Sequence, residues 1–156
     1  ENLREISKNK NFLNNIKLSA QDNISISEKG VLRGLHIQKK PYSQAKLITV
    51  LKGKIFDVAL DIREHSETFG KYVSYELSAG TGYSLYIPEG FAHGFCSLED
   101  GTTILYKNSC EYSPNSESGI IWNDSRVNIK WPLSNPIISE KDSKLPTLDK
   151  YISNFG

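Results

Sequence analysis

The stretch Lys46-Leu47-Ile48-Thr49-Val50-Leu51-Lys52-Gly53-Lys54-Ile55-Phe56-Asp57-Val58-Ala59-Leu60-Asp61-Ile62 decides the fold. Leu47 to Leu51 is a β-branched apolar run. After Lys52-Gly53-Lys54, Phe56, Val58, Leu60 and Ile62 alternate with Ile55, Asp57, Ala59 and Asp61. Period-two alternation puts the two sets on opposite faces of a strand. The reading expects a hairpin with Gly53 in its tight loop.

The same pattern extends outward. Val73, Tyr75 and Leu77 alternate with Ser74 and Glu76. Tyr83 to Ile87 reads as a strand ended by Pro88 and Gly90. In Thr102 to Cys110, Ile104, Tyr106 and Asn108 share one face. Strands at intervals of roughly 8–12 residues, with turn residues between them, imply an all-β sandwich or barrel. Asn2 to Ile16 is the helical candidate, with Leu3, Ile6, Leu13 and Ile16 on one stripe. The polar stretch from Ser113 to Trp131 reads as a long ordered loop with short strands.

With 156 residues, the chain is expected to form one domain spanning 1–156, with an incomplete N-terminal segment because it begins at Glu1. The 19 Lys+Arg against 18 Asp+Glu leave +1, which argues against nucleic acid as a partner. No run approaches the about 18 apolar residues of a membrane helix, and no signal-peptide pattern is present. Cys96 and Cys110 form no disulfide framework and suit a reducing cytoplasm.

Three histidines are the candidates for chemistry. His65 sits in the charged turn Arg63-Glu64-His65-Ser66-Glu67 and reads as exposed. His36 lies in Leu32-Arg33-Gly34-Leu35-His36-Ile37-Gln38, and His93 in Pro88-Glu89-Gly90-Phe91-Ala92-His93-Gly94-Phe95. On a regular strand Arg33 and His36 would face opposite ways unless Gly34 bends the chain, and such a glycine often marks a bulge or a close backbone approach. A metal site on a small barrel usually draws on a His-x-His pair. The position two after His36 is Gln38, so no metal is expected. These residues alone do not name a substrate.

The block Gly30-Val31-Leu32-Arg33-Gly34-Leu35-His36-Ile37-Gln38 resembles the signature of dTDP-4-dehydrorhamnose 3,5-epimerases. Gln21-Asp22-Asn23, Ser43-Gln44-Ala45-Lys46, Phe56 to Arg63, Ile87 to Phe95, Leu105-Tyr106-Lys107, Gly119 to Asp124, Ile129 to Leu133 and Ile138 to Asp142 match in the same order. The resemblance implies a cupin-type jelly-roll barrel with minor helices at its ends, a homodimer, and no metal or organic cofactor. The implied substrate is a nucleoside-diphosphate 4-keto-6-deoxy sugar, epimerised at carbons 3 and 5.

The chemistry fits the residue types. Removing a proton next to a ketone needs a positioned base, and imidazole titrates near neutral pH. By resemblance His36 is that base and Asp142 its partner. Tyr106 is the acid on the opposite face, and Lys46 stabilises the enolate. Arg33 and His93 are implied contacts of the diphosphate. Gln21, Asn23, Tyr112, Glu117 and Lys141 are implied contacts of the nucleotide and sugar. Glu1 is read as the last residue of an Arg-Gly-x-Phe-x-Glu segment that reaches the neighbouring subunit's nucleotide site. The alternatives are a 3- or 5-mono-epimerase, a 3,4-ketoisomerase (for which a second His near position 38 is expected), and a non-catalytic nucleotide-sugar-binding cupin.

Overall fold

A computed structural model describes residues 20–153. The helical candidate Asn2 to Ile16 and the site candidate Glu1 lie outside the described residues. The elements are β1 (Gln21–Ser27), β2 (Val31–Gln38), β3 (Lys46–Lys52), β4 (Lys54–Asp61), β5 (Tyr72–Ser78), β6 (Ser84–Ile87), β7 (Phe91–Ser97), β8 (Thr102–Asn108), β9 (Glu117–Gly119) and β10 (Ile137–Ile138), then α1 (Glu140–Ser143) and α2 (Leu148–Ser153). One sheet runs β1-β8-β3-β6. The other runs β10-β2-β7-β4-β5, with β9 also paired to β2. All the pairings are antiparallel except β10 with β2. This is the cupin-type jelly roll expected from the sequence, with short helices near its end.

The expected hairpin at Gly53 is not formed. β3 pairs with β6 and β8, whereas β4 pairs with β5 and β7. Lys52-Gly53-Lys54 is a corner at which the chain leaves one sheet for the other. Gly53 has φ +79 and crowds Thr102 closely enough that a Cβ there would collide. A left-handed glycine serves such a corner as well as it serves a hairpin loop, so local turn chemistry could not tell the two apart.

β4 is buried on both faces, and this explains its two apolar sets. Ile55 and Ala59 join Ile48, Val50, Leu77, Ile87, Phe95 and Ile104 inside the barrel. Val58, Leu60 and Ile62 face outward with Leu35, Ile37 and Ala92, under Ile120, Val127, Ile129 and Leu148 from the C-terminal stretch. Asp124 fastens that cover. Its Oδ1 accepts from the Arg126 and Val127 N–H groups, and its Oδ2 from the Leu148 N–H. Trp131 packs edge-on against Phe56 and donates its Nε1–H to the Trp122 carbonyl. Covering the outer face stiffens the sheet that carries β2 and β7, and both of these strands carry site residues.

Candidate active site

The site begins with a fault in a strand. β2 pairs with β7 through Arg33 opposite Phe95 and His36 opposite His93, with a register shift between them. Gly34 sits at that shift with φ +111, and a Cβ there would lie 2.6 Å from both Gly94 Cα and the His93 carbonyl oxygen. Only glycine permits the approach. The bulge turns Arg33 and His36 toward the same cavity, although their spacing would separate them on a regular strand.

The cavity has a volume of about 410 Å³ and opens between the two sheets. From the larger sheet come Arg33 and His36 of β2, His93 of β7 and Glu117 of β9. From the smaller come Gln21 and Asn23 of β1, Lys46 of β3 and Tyr106 of β8. Tyr112 joins them from the loop before β9. Asp142 lies behind His36, and Lys141 reaches Glu117 from outside. Eleven of the twelve expected site residues are thus brought to one region, and Glu1 lies outside the described residues.

α1 exists to deliver Asp142. Ser139 caps it, its Oγ accepting the Asp142 N–H at 3.0 Å. The carboxylate accepts from His36 Nε2 at 2.7 Å through Oδ1 and from the Gly34 N–H at 3.0 Å through Oδ2. Burial alone would raise this carboxyl, but the bonds from His36 and Gly34 hold it below the usual carboxylate range. An ionised carboxylate can only accept, so Nε2 carries the proton and Nδ1 keeps a free lone pair.

Across the barrel, the Tyr106 hydroxyl lies 3.1 Å from Ser25 Oγ. Burial pushes the phenol up to about 12, so it holds its proton at any physiological pH. Burial pushes the Lys46 ammonium down to about 8, against the opposing pull of Asp57 and Glu117. His93 stands edge-on to Tyr106, with ring centroids 6.2 Å apart, and its Nε2 is 2.6 Å from Asp57 Oδ1.

The rim is cross-linked. Glu117 Oε2 accepts from both the Tyr112 hydroxyl and Lys141 Nζ. Burial would raise the Glu117 carboxyl, but these two bonds keep it low. Gln21 donates to Asn23 and accepts the Tyr112 N–H at 2.7 Å, tying β1 to the loop. Arg33 Nε donates to Ser27 Oγ at 3.3 Å. His65 is exposed, as expected. No group of three or more His, Cys, Asp or Glu is arranged to hold a metal among the described residues.

Sequence reasoning missed Asp57, along with Ser25, Gln38, Gln44 and Asn108 of the cavity wall. The sequence holds one pointer to Asp57, an acid in the inward set Ile55-Asp57-Ala59-Asp61, but Asp61 shares it.

An imidazole with a carboxylate behind it, a protonated phenol on the facing sheet and a buried ammonium are together chemically able to take up and deliver protons inside a β barrel. The class is that of acid–base barrel enzymes acting beside a carbonyl. The family model described as dTDP-4-dehydrorhamnose 3,5-epimerase matches residues 4–150, and the chain belongs to that family of isomerases. It is 55% identical over 122 residues to the dTDP-4-dehydrorhamnose 3,5-epimerase of Shigella flexneri, covering 78% of this chain and 67% of that protein. The dTDP-6-deoxy-D-glucose-3,5-epimerase of Legionella pneumophila, solved in complex with dTDP-4-keto-L-rhamnose, is 42% identical with TM-score 0.86, covering 92% of this chain and 76% of that one. A 3'-monoepimerase from Streptomyces bikiniensis, solved with dTDP-quinovose, is 33% identical with TM-score 0.83, covering 87% and 69%. No described helix is long and apolar enough to cross a membrane.

Proposed function

We propose that this chain, read as one epimerase domain over 1–156, inverts carbons 3 and 5 of dTDP-4-dehydro-6-deoxy-D-glucose to give dTDP-4-dehydro-L-rhamnose. The observation that carries the reading is that His36 and Tyr106 border one cavity from opposite sheets, with Lys46 beside Tyr106's strand. A base and an acid on opposite walls can address the two faces of one sugar ring.

His36 Nδ1 takes the proton from the carbon next to the ketone. The electron pair moves into the ring bond and onto the carbonyl oxygen. Lys46, as ammonium, stabilises that enolate oxygen in a site where preorganised charge is most effective. Tyr106 then delivers its proton to the opposite face of the same carbon, and the carbonyl re-forms. The imidazolium and phenolate that remain exchange one proton, through solvent, to restore the starting state. Asp142 supports the imidazolium while it lasts.

In the same reading Arg33 and His93 meet the diphosphate, for which a guanidinium offers a two-pronged donor. Gln21, Asn23, Tyr112, Glu117 and Lys141 contact the nucleotide and sugar, and Glu1 reaches a neighbouring subunit. The enzyme works as a homodimer in the cytoplasm, a reading supported by the exposed Ile24 and Ile26 on β1 and by the free thiols of Cys96 and Cys110. Light scattering on the intact chain tests the dimer.

The function is tested by incubation with dTDP-4-dehydro-6-deoxy-D-glucose in deuterated water. Deuterium at both carbon 3 and carbon 5, with inverted product, is expected. Deuterium at one carbon makes the protein a mono-epimerase, and none at either makes it a non-catalytic binder.

A further inference from the structure

We propose that Asp57 is a positioning residue of this site: it fixes His93 through one carboxylate oxygen, and its negative charge holds Lys46 as an ammonium. The inference rests on the proposed function and deepens it.

Asp57 lies on the inward face of β4, between Ile55 and Ala59, and is 0% exposed. His93, 4% exposed, faces it from the neighbouring strand β7. Oδ1 meets His93 Nε2 at 2.6 Å, whereas Oδ2 is buried without a hydrogen-bond partner among the described residues. An unpaired carboxylate oxygen in an apolar interior is costly, and a residue needed only to hold a ring could dispense with it. The ring that Asp57 holds, His93, lines the active-site cavity, so the surplus charge lies one side chain away from it.

The groups facing Lys46 are Arg33 and His36 of β2, His93 of β7, Tyr106 of β8, Glu117 of β9 and Asp57 of β4. Two of these are carboxylates. Glu117 already carries Tyr112 and Lys141 on one oxygen, so its charge is matched at the rim. Asp57 has an oxygen left over. Burial takes the Lys46 ammonium down to about 8, and Asp57 is the larger of the two opposing influences. Without it, burial would be opposed by Glu117 alone, and a smaller share of the amine would carry the charge that the enolate needs. Two adjacent strands, β2 and β7, thus present two imidazoles, each held by a carboxylate from another element and each with a separate task. His36 with Asp142 moves protons, and His93 with Asp57 sets the charge that receives the electrons.

The test reads the amine itself. Competitive acetylation of the intact protein with acetic anhydride across pH, quantified lysine by lysine by mass spectrometry, gives the titration midpoint of Lys46, with the surface lysines as internal references. In the wild type the midpoint is expected near 8. In Asp57→Asn, which keeps an acceptor for His93 but loses the charge, it is expected about one pH unit or more lower. The alkaline limb of kcat is expected to move with it. A structural role would lower activity without moving either midpoint, and an unchanged Lys46 midpoint in the folded variant overturns the proposal. Because labelling needs no turnover, this result is independent of whether the epimerase reading holds. A variant-free measurement covers the case in which Asp57→Asn does not fold. The ¹⁵N spectrum of histidine-labelled wild-type protein should show the proton of the His93–Asp57 contact on Nε2. A bare Nε2 would mean that Asp57 itself carries the proton and has no charge to give, which also overturns it.

Discussion

Asp142→Asn changes one atom and separates geometry from proton logic. In the wild type both carboxylate oxygens accept, one from His36 Nε2 at 2.7 Å and one from the Gly34 N–H at 3.0 Å. An asparagine has one oxygen and one NH₂ in their place. With its oxygen on His36, the NH₂ would oppose the Gly34 N–H, leaving a buried donor pair unmade at about 1–3 kcal/mol. With its oxygen on Gly34, the backbone is satisfied but the NH₂ points at His36 Nε2. That nitrogen must then be bare, the ring proton moves to Nδ1, and the base no longer has its lone pair. Loss of base function corresponds to roughly 10²–10⁴-fold in kcat, or about 2.7–5.4 kcal/mol of barrier. Asp142 sits behind His36, so KM should change little. The assay is deuterium uptake into the dTDP-4-keto sugar followed by NMR, with thermal melting to establish that the variant is folded. A folded Asp142→Asn protein with kcat within about threefold of wild type would refute the tautomer argument, because it implies far less than the expected general-base contribution.

Three further outcomes follow from the same geometry. Lys46 titrates near 8, so kcat should fall about tenfold per pH unit above that value as the ammonium is lost, and the limb should vanish in whatever activity Lys46→Arg retains; a kcat flat to pH 10 contradicts this. Gly34→Ala places a Cβ 2.6 Å from two backbone atoms at φ +111, which should destabilise the fold by about 3 kcal/mol or more; an unchanged melting temperature would show that the bulge can relax. Asp61 accepts from Arg63, Ser66 and Thr68, and these bonds outweigh its burial to hold its carboxyl well below the usual carboxylate range. Its stabilisation is therefore present above the unfolded carboxyl value of about 3.9 and disappears as pH falls through the lower folded one. Asp61→Asn should cost about 1–3 kcal/mol at pH 7 in urea unfolding, with the deficit shrinking at pH 3; a constant deficit contradicts the linkage.

The barrel could be read from the chain because alternation is a local signal, and each strand carries it independently. The order of strands could not. Gly53 announces a reversal, but whether β3 turns back on β4 or crosses to β6 and β8 is decided by partners more than thirty residues away. His36 and Arg33 were visible as a pair only conditionally, since their shared orientation depends on a bulge that Gly34 suggests without proving. Asp142 became a partner of His36 only through resemblance, because 106 residues separate them. Asp57 stayed hidden for a different reason. Asp61, four residues on in the same strand and on the same face, looks identical in sequence, yet its carboxylate is fully occupied by a surface loop, whereas Asp57 holds His93 and keeps its other oxygen unbonded. Nothing local distinguishes an acid that closes a loop from one that charges a site.

Inversion by this site requires removal and return of a proton at opposite faces of one carbon. Tyr106→Phe in deuterated water tests this most directly, because it removes the donor and leaves the base. In this variant hydrogen next to the ketone is expected still to wash out, returned from the His36 side, while the inverted sugar forms at least about 10²-fold more slowly. Inverted product formed by Tyr106→Phe at the wild-type rate would contradict it.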